Sequence, residues 1–255
     1  MMVPVTDGGL NDPTPTALGT GWSLSPAEIK RRFLVIDLKH KKLLIYDLDG
    51  TLVDTRQDIA RSANHMRVSF GLPYLEHEMI WGHVGKGLLH LVAECLQTED
   101  PQKIRKGAQV YREYYAKHML DATTLYPGVR EFLDTMKGAR QAVITNKPEP
   151  FSSDLLHELL IYRYFFKVIG GNSGYHEKPD PASTLDLMKM ARVEKDETLW
   201  IGDSGVDIET ARAAGVDVIV LTHGFVKADK LRAAKPDGLF KNFRELVQFA
   251  HKAFW

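Results

Sequence analysis

Three pairs of polar residues follow short apolar runs. Asp47 and Asp49 follow Leu43-Leu44-Ile45-Tyr46, Thr145 and Asn146 follow Ala142-Val143-Ile144, and Asp203 and Asp207 follow Leu199-Trp200-Ile201-Gly202. If the apolar runs are neighbouring strands of one sheet, four carboxylates converge on one edge. Such a cluster is strongly self-repelling in a half-buried cleft, and a divalent cation relieves the repulsion. An oxygen-only donor set without His or Cys favours Mg²⁺ over zinc. Lys178, in Glu177-Lys178-Pro179, adds positive charge ahead of a helix that begins near Pro181. Thr145 adds a hydroxyl and Asn146 a backbone N–H. Acids, a metal, an ammonium and a hydroxyl together suit a phosphoryl group, whose equatorial oxygens need cations and donors. A carboxylate can attack phosphorus, and a second carboxyl two residues on can protonate the leaving oxygen and then activate water.

The elements that must position these groups can be read from the apolar pattern. Strands are expected at 43–47, 141–146, 167–171, 198–203 and 217–222, each short and apolar or β-branched, with room for a helix between most of them. Continuous apolar strands alternating with helices predict an α/β fold: a Rossmann-like parallel sheet with helices on both faces. In such sheets ligands bind outside the carboxyl ends of the strands. About a hundred residues separate Asp47 from Thr145, far more than one crossover requires. Helical periodicity over 59–70, 88–96 and 101–120 predicts a small all-α cap at 58–126, inserted after the first core strand. Pro127-Gly128 marks the return to the core. The interval from Thr145 to Lys178 holds one helix, at 150–160, and one strand, so no second cap fits there. The resulting organisation is an N-terminal extension at 1–42, a core at 43–57 and 127–255, and the cap. Within the extension, residues 1–21 read as a mobile tail, Ser25-Pro26-Ala27-Glu28 as a helix start, and 39–42 as a basic link.

The chain has 255 residues, 44% hydrophobic and 26% charged, with formal net charge zero. No global field favours nucleic acid or an anionic membrane surface, and no apolar run reaches the ~20 residues of a transmembrane helix. One cysteine, Cys95, rules out an internal disulfide framework. With no signal-peptide pattern, the expectation is cytoplasmic.

Asp47-Leu48-Asp49-Gly50-Thr51-Leu52-Val53-Asp54, Thr145, Lys178-Pro179 and Gly202-Asp203-Ser204-Gly205-Val206-Asp207 resemble, in order, the four motifs of the haloacid dehalogenase superfamily. The resemblance spans about residues 43–222. Asp-x-Asp-x-Thr is short enough to arise by chance, but four ordered motifs at strand ends and helix starts are specific. The resemblance implies that Asp47 is the nucleophile and a metal ligand. Asp49 would be the general acid/base, lending its backbone carbonyl to Mg²⁺, and Asp203 a further ligand. Thr145, Asn146 and Lys178 would bind the phosphoryl group, Asp207 would support the site, and Thr51 would orient Asp49. The acid at position 49 favours phosphate esters over carbon–halogen or carbon–phosphorus bonds, because the dehalogenase and phosphonatase branches lack it.

Val84-Gly85-Lys86-Gly87, with Leu52-Val53-Asp54 and Thr145-Asn146-Lys147-Pro148, resembles the phosphoglycolate phosphatase branch, which carries a helical cap of the C1 type. This implies a small-molecule phosphate ester, 2-phosphoglycolate first, with Lys86 as a substrate contact or an exposed helix start. A phosphosugar mutase of the β-phosphoglucomutase kind, a pyrophosphatase, a sugar-phosphate phosphatase and a non-catalytic binding protein are the alternatives. Asp54 and Lys147 read as supporting or surface groups, Tyr111, Tyr114 and Tyr115 as cap core, the ten histidines as structural, and Cys95 as packed.

Overall fold

The computed structural model describes residues 36–254. The tail at 1–21 and the helix start at Ser25 lie outside the described residues. The basic segment at 39–42 and the residues just before it pack on the core. Ile36 and Leu38 are buried, and the Lys41 ammonium, its side chain only 2% exposed, reaches Asp217 at 2.5 Å.

A six-stranded parallel sheet forms the core, in the order β5 (Lys167–Ile169), β4 (Arg140–Ile144), β1 (Leu43–Tyr46), β6 (Thr198–Gly202), β7 (Asp217–Leu221), β8 (Gly238–Phe240). Five of these are the expected strands. The sixth, β8, was not anticipated, because Gly238-Leu239-Phe240 is too short to show a period. β1 is apolar throughout because both of its faces are covered. Leu44 and Tyr46 enter one core cluster, and Leu43 and Ile45 the other. Helices α5 (Val129–Thr135), α6 (Phe151–Glu158) and α10 (Phe243–Phe254) cover the first face. Helices α7 (Ala182–Ala191), α8 (Gly205–Ala214) and α9 (Ala228–Ala233) cover the second.

The connectivity fixes the site. From β1 the chain steps outward to β4 and β5, then returns to β6 on the other side of β1 and steps outward again. That reversal opens a crevice at the carboxyl ends of the central strands. The register sets Tyr46 beside Val143 on one side and Ile201 on the other. Asp47, Thr145 and Asp203, one or two residues further along their strands, therefore emerge at neighbouring points.

Between Asp54 and Thr124 lie four helices: α1 (Arg56–Ser69), α2 (His77–Trp81), α3 (Leu88–Leu96) and α4 (Pro101–His118). Periodicity had located three of them; α2 is a five-residue turn too short to register. Pro101 opens α4 behind Asp100, whose carboxylate accepts from the Gln102 N–H as an N-cap. Two strands, β2 (Val53–Asp54) and β3 (Thr124–Leu125), pair antiparallel, so the chain leaves and re-enters the core side by side. Asp58, fully buried, ties this neck. One of its oxygens accepts from the Ala122 N–H (2.9 Å), the Thr123 N–H (2.8 Å) and the Thr123 hydroxyl (2.8 Å).

Candidate active site

The loop after β1 turns back sharply at Gly50, where φ is +84°. A Cβ there would lie 2.5 Å from an Asp203 carboxylate oxygen and 2.4 Å from the Phe225 ring, so only glycine lets the loop pack against the end of β6. The turn leaves Asp47 at the floor of a cleft, buried to 5% exposure, with Asp49 at its side.

Lys178 is the electrostatic centre of the floor. Its ammonium lies 2.7 Å from Asp47 and 2.8 Å from Asp207, and the residue is 6% exposed. Burial alone would lower its pKa, but Asp207 and Asp47 more than reverse this and hold the ammonium above its ordinary range. The acids carry the opposite strain. Burial pushes the Asp47 carboxyl up to about 7, with Lys178 opposing the rise and Asp207 and Asp49 adding to it. Burial, reinforced by Asp207 and Asp47, also raises Asp203 well above the carboxylate range. One carboxylate oxygen from each of Asp47, Asp203 and Asp207 lies within 4.8 Å of the others. Crowded, buried, oxygen-only donors whose charges resist coexistence fit a hard divalent cation such as Mg²⁺.

The three carboxylates differ in what they have left to give. Asp207, fully buried, accepts on one oxygen from Lys178 (2.8 Å) and the Trp200 indole N–H (3.4 Å). Its other oxygen accepts from the Asp203 N–H (3.2 Å) and from the Ser204 N–H and hydroxyl (3.0 and 2.6 Å). With Ser204 it forms the capping box that starts α8. It is saturated by the protein, as a support would be. Asp203 accepts one bond per oxygen, from the Thr51 hydroxyl and from the Phe225 N–H, both at 2.9 Å, and keeps lone pairs for a cation.

Here one expectation is corrected. Thr51 does not orient Asp49; its hydroxyl donates to Asp203. Asp49 is held instead by the Thr55 hydroxyl at 2.8 Å. The loop folds so that Thr51 faces β6, and Thr55, at the start of α1, faces back. Nothing in the spacing of Thr55 distinguishes it from an ordinary N-cap, so sequence reasoning passed over it.

Lys147 is the second revision. The structure places its ammonium 3.1 and 3.3 Å from the two oxygens of Asp49 and 4.4 Å from the centre of the Tyr115 ring, with its side chain 6% exposed. It is therefore a cleft residue. A signal was available: it lies two residues after Thr145 on a loop already assigned to the ligand-binding edge.

Thr145 is 3% exposed, and its hydroxyl accepts from the Lys147 N–H at 3.1 Å, which leaves the hydroxyl proton to donate. Asn146 was expected to offer a backbone N–H. Its side chain has a structural task besides. The amide oxygen accepts from the Lys178 N–H (2.7 Å), and the amide nitrogen donates to the carbonyls of Lys178 (3.0 Å) and Gly85 (2.9 Å). Asn146 thus positions Lys178 and meets the cap loop. Lys86, in that loop, is exposed, while its neighbours Gly85 and Gly87 line the cleft. The rest of the cap-side wall is mostly apolar, formed by Val84, Leu88, Leu91, Tyr111 and Tyr115, and the cleft encloses about 530 Å³ including its open mouth.

Comparisons with known proteins agree with this arrangement. The family model described as haloacid dehalogenase-like hydrolase matches residues 44–221. The chain is 37% identical over 221 residues to phosphoglycolate phosphatase 1 of Pseudomonas aeruginosa, covering 83% of this chain and 80% of that one. It is 35% identical over 205 residues to a phosphoglycolate phosphatase of Chromobacterium violaceum, covering 78% and 92%. Among solved structures, a predicted phosphoglycolate phosphatase from Haemophilus somnus superposes with a TM-score of 0.78 at 29% identity, over 82% of this chain and 98% of that one. With the four motifs converging at the carboxyl ends of β1, β4 and β6, the chain belongs to the haloacid dehalogenase-like hydrolases.

Proposed function

We propose that this hydrolase cleaves a phosphate monoester of a small metabolite, 2-phosphoglycolate first, with Mg²⁺ and through a phosphoryl group carried on Asp47. One observation supports this reading above the others: Asp47 lies at the floor of a cleft, 2.7 Å from a buried lysine and beside two further carboxylates. The relatives' names supply the substrate class.

In the proposed cycle an Asp47 oxygen attacks phosphorus as the ester P–O bond breaks, and Asp49 gives its proton to the departing alkoxide. Asp49, now a carboxylate, takes a proton from water, and that water attacks phosphorus and releases Asp47 and inorganic phosphate. Lys178 and the Thr145 hydroxyl hold the transferring oxygens. Asp47, Asp203 and the Asp49 backbone carbonyl would hold Mg²⁺, which when bound neutralises the clustered carboxylates and the developing phosphoryl charge. Asn146 orients Lys178, and Asp207 fixes it from below. Residues 58–126 act as a cap that closes over the leaving group and excludes water, above a core of residues 43–57 and 127–255. Among the described residues no helix is long and apolar enough to cross a membrane. A single buried cysteine fits a reducing compartment, and we place the enzyme in the cytoplasm.

The test is phosphate release from a panel of small esters with Mg²⁺ or EDTA. The expected result is metal-dependent hydrolysis with 2-phosphoglycolate preferred. A clear preference for a bulky sugar phosphate, or isomerised sugar phosphate in place of free phosphate, would overturn it.

A further inference from the structure

The floor of the cleft accounts for the phosphoryl group but not for the alcohol that leaves it. In-line displacement sends the leaving oxygen away from Asp47, to the side where Asp49 can protonate it. Two features of that side have no task in the chemistry described above. Apart from Lys178 beneath the floor, Lys147 is the only cation among the described residues that line the cleft. Its ammonium has three N–H donors, and Asp49 is its only acceptor among the described residues. Beside it, Tyr115 is 1% exposed and lines the same cleft, yet its hydroxyl is buried with no hydrogen-bond partner among the described residues. A buried hydroxyl without a partner is costly unless a ligand completes it. Tyr111, stacked on Tyr115, lines the same wall, and the remaining neighbours there, Leu88, Leu91 and Phe151, offer no polar group.

We propose that Lys147 and Tyr115 form the specificity subsite for the leaving group, and that the group they take is a carboxylate on the carbon next to the ester. The ammonium contributes a charge-assisted hydrogen bond and the phenol a neutral one, inside a mostly apolar wall that disfavours larger polar alcohols. This assigns recognition to the core lysine that follows the Thr145-Asn146 pair and to a tyrosine of α4. Lys86 of the cap loop is exposed and does not line the cleft. The proposal rests on the phosphatase reading above and names the residues that would choose its substrate.

The experiment compares kcat/KM for 2-phosphoglycolate with that for 2-hydroxyethyl phosphate, which is similar in size but lacks the carboxylate. Wild type, Lys147→Met and Tyr115→Phe are assayed with Mg²⁺, and folding is checked by circular dichroism. Wild type should favour the carboxylate ester. Lys147→Met should lower that preference by about 10- to 100-fold, and Tyr115→Phe by about 3- to 10-fold. A ratio unchanged in Lys147→Met, with both esters slowed equally, would mean that the lysine acts only through Asp49 and would overturn the subsite. Should Lys147→Met not fold, an unchanged ratio in Tyr115→Phe overturns it. So would a wild-type enzyme that hydrolyses both esters with equal efficiency. A wild type that hydrolyses neither would overturn the phosphatase reading itself, and the subsite with it.

Discussion

The floor and the roof of the cleft are built on opposite principles. On the floor every charged group has a partner: Lys178 bridges Asp47 and Asp207, Asp207 is saturated by five donors, and Asp203 is held by Thr51 and the Phe225 N–H. The roof, from the cap loop to α4, is mostly apolar and leaves the Tyr115 hydroxyl without a hydrogen-bond partner among the described residues. A preorganised floor suits a reaction whose phosphoryl group is the same for every substrate. A sparsely polar roof suits the part that must distinguish one alcohol from another. The chemistry and the choice of substrate should therefore be separable by mutation.

The largest effect is expected on the floor. Lys178→Met leaves Asp47 and Asp207 buried without their cation, and breaking a buried pair in this way costs about 3–5 kcal/mol. Denaturant unfolding should show that loss, and turnover of any ester should fall by roughly a thousandfold. On the roof, Gly87→Ala tests the cap loop alone. Gly87 has φ +84° and ψ 163°, a conformation open essentially only to glycine, and it packs against the Glu177 carboxylate. The carboxylate can swing aside, but the strain of about 1–3 kcal/mol cannot be avoided. The expected outcome is a drop in kcat/KM on the order of tenfold, with the midpoint of thermal unfolding lowered by several degrees, less than in Lys178→Met. Equal damage to stability in both variants would contradict the division.

Much of the floor was legible in the sequence because strand ends obey a register. Once 43–47, 141–146 and 198–203 were read as parallel strands, Asp47, Thr145 and Asp203 had to meet. The cap helices were equally plain, since their apolar residues recur at helical spacing. What stayed hidden depends on loop conformation. The turn at Gly50 decides that Thr51 faces Asp203 and Thr55 faces Asp49, and no spacing rule encodes that choice. Lys147 read as a supporting or surface group and Tyr115 as cap core, because their meeting joins segments from either side of the neck. Lys86, prominent in the sequence, is exposed in the structure.

Smaller effects sharpen the description of the floor. Thr51→Val removes the donor to Asp203 and should raise the Mg²⁺ concentration for half-maximal rate by about tenfold, with little change in rate at saturating metal. The metal-free protein should also respond to pH. Asp47 and Asp203 have folded-state pKa values raised above their unfolded ones, Asp47 to about 7. The folded state therefore holds more protons, and the stability this contributes is present below about pH 4 and is lost as pH rises through about 7. In EDTA the unfolding midpoint should fall across that window, and Mg²⁺ should flatten the profile by stabilising the ionised carboxylates. A profile that rises with pH in EDTA would contradict the repulsion described for this cluster.

The central claim is that Asp47 attacks phosphorus, and Mg²⁺-dependent turnover of 2-phosphoglycolate by Asp47→Asn tests it most directly. The substitution keeps the size of the side chain and removes the nucleophilic oxygen charge. The account predicts a folded protein whose kcat is lower by at least about a thousandfold. A folded variant that turns over within tenfold of wild type would contradict it.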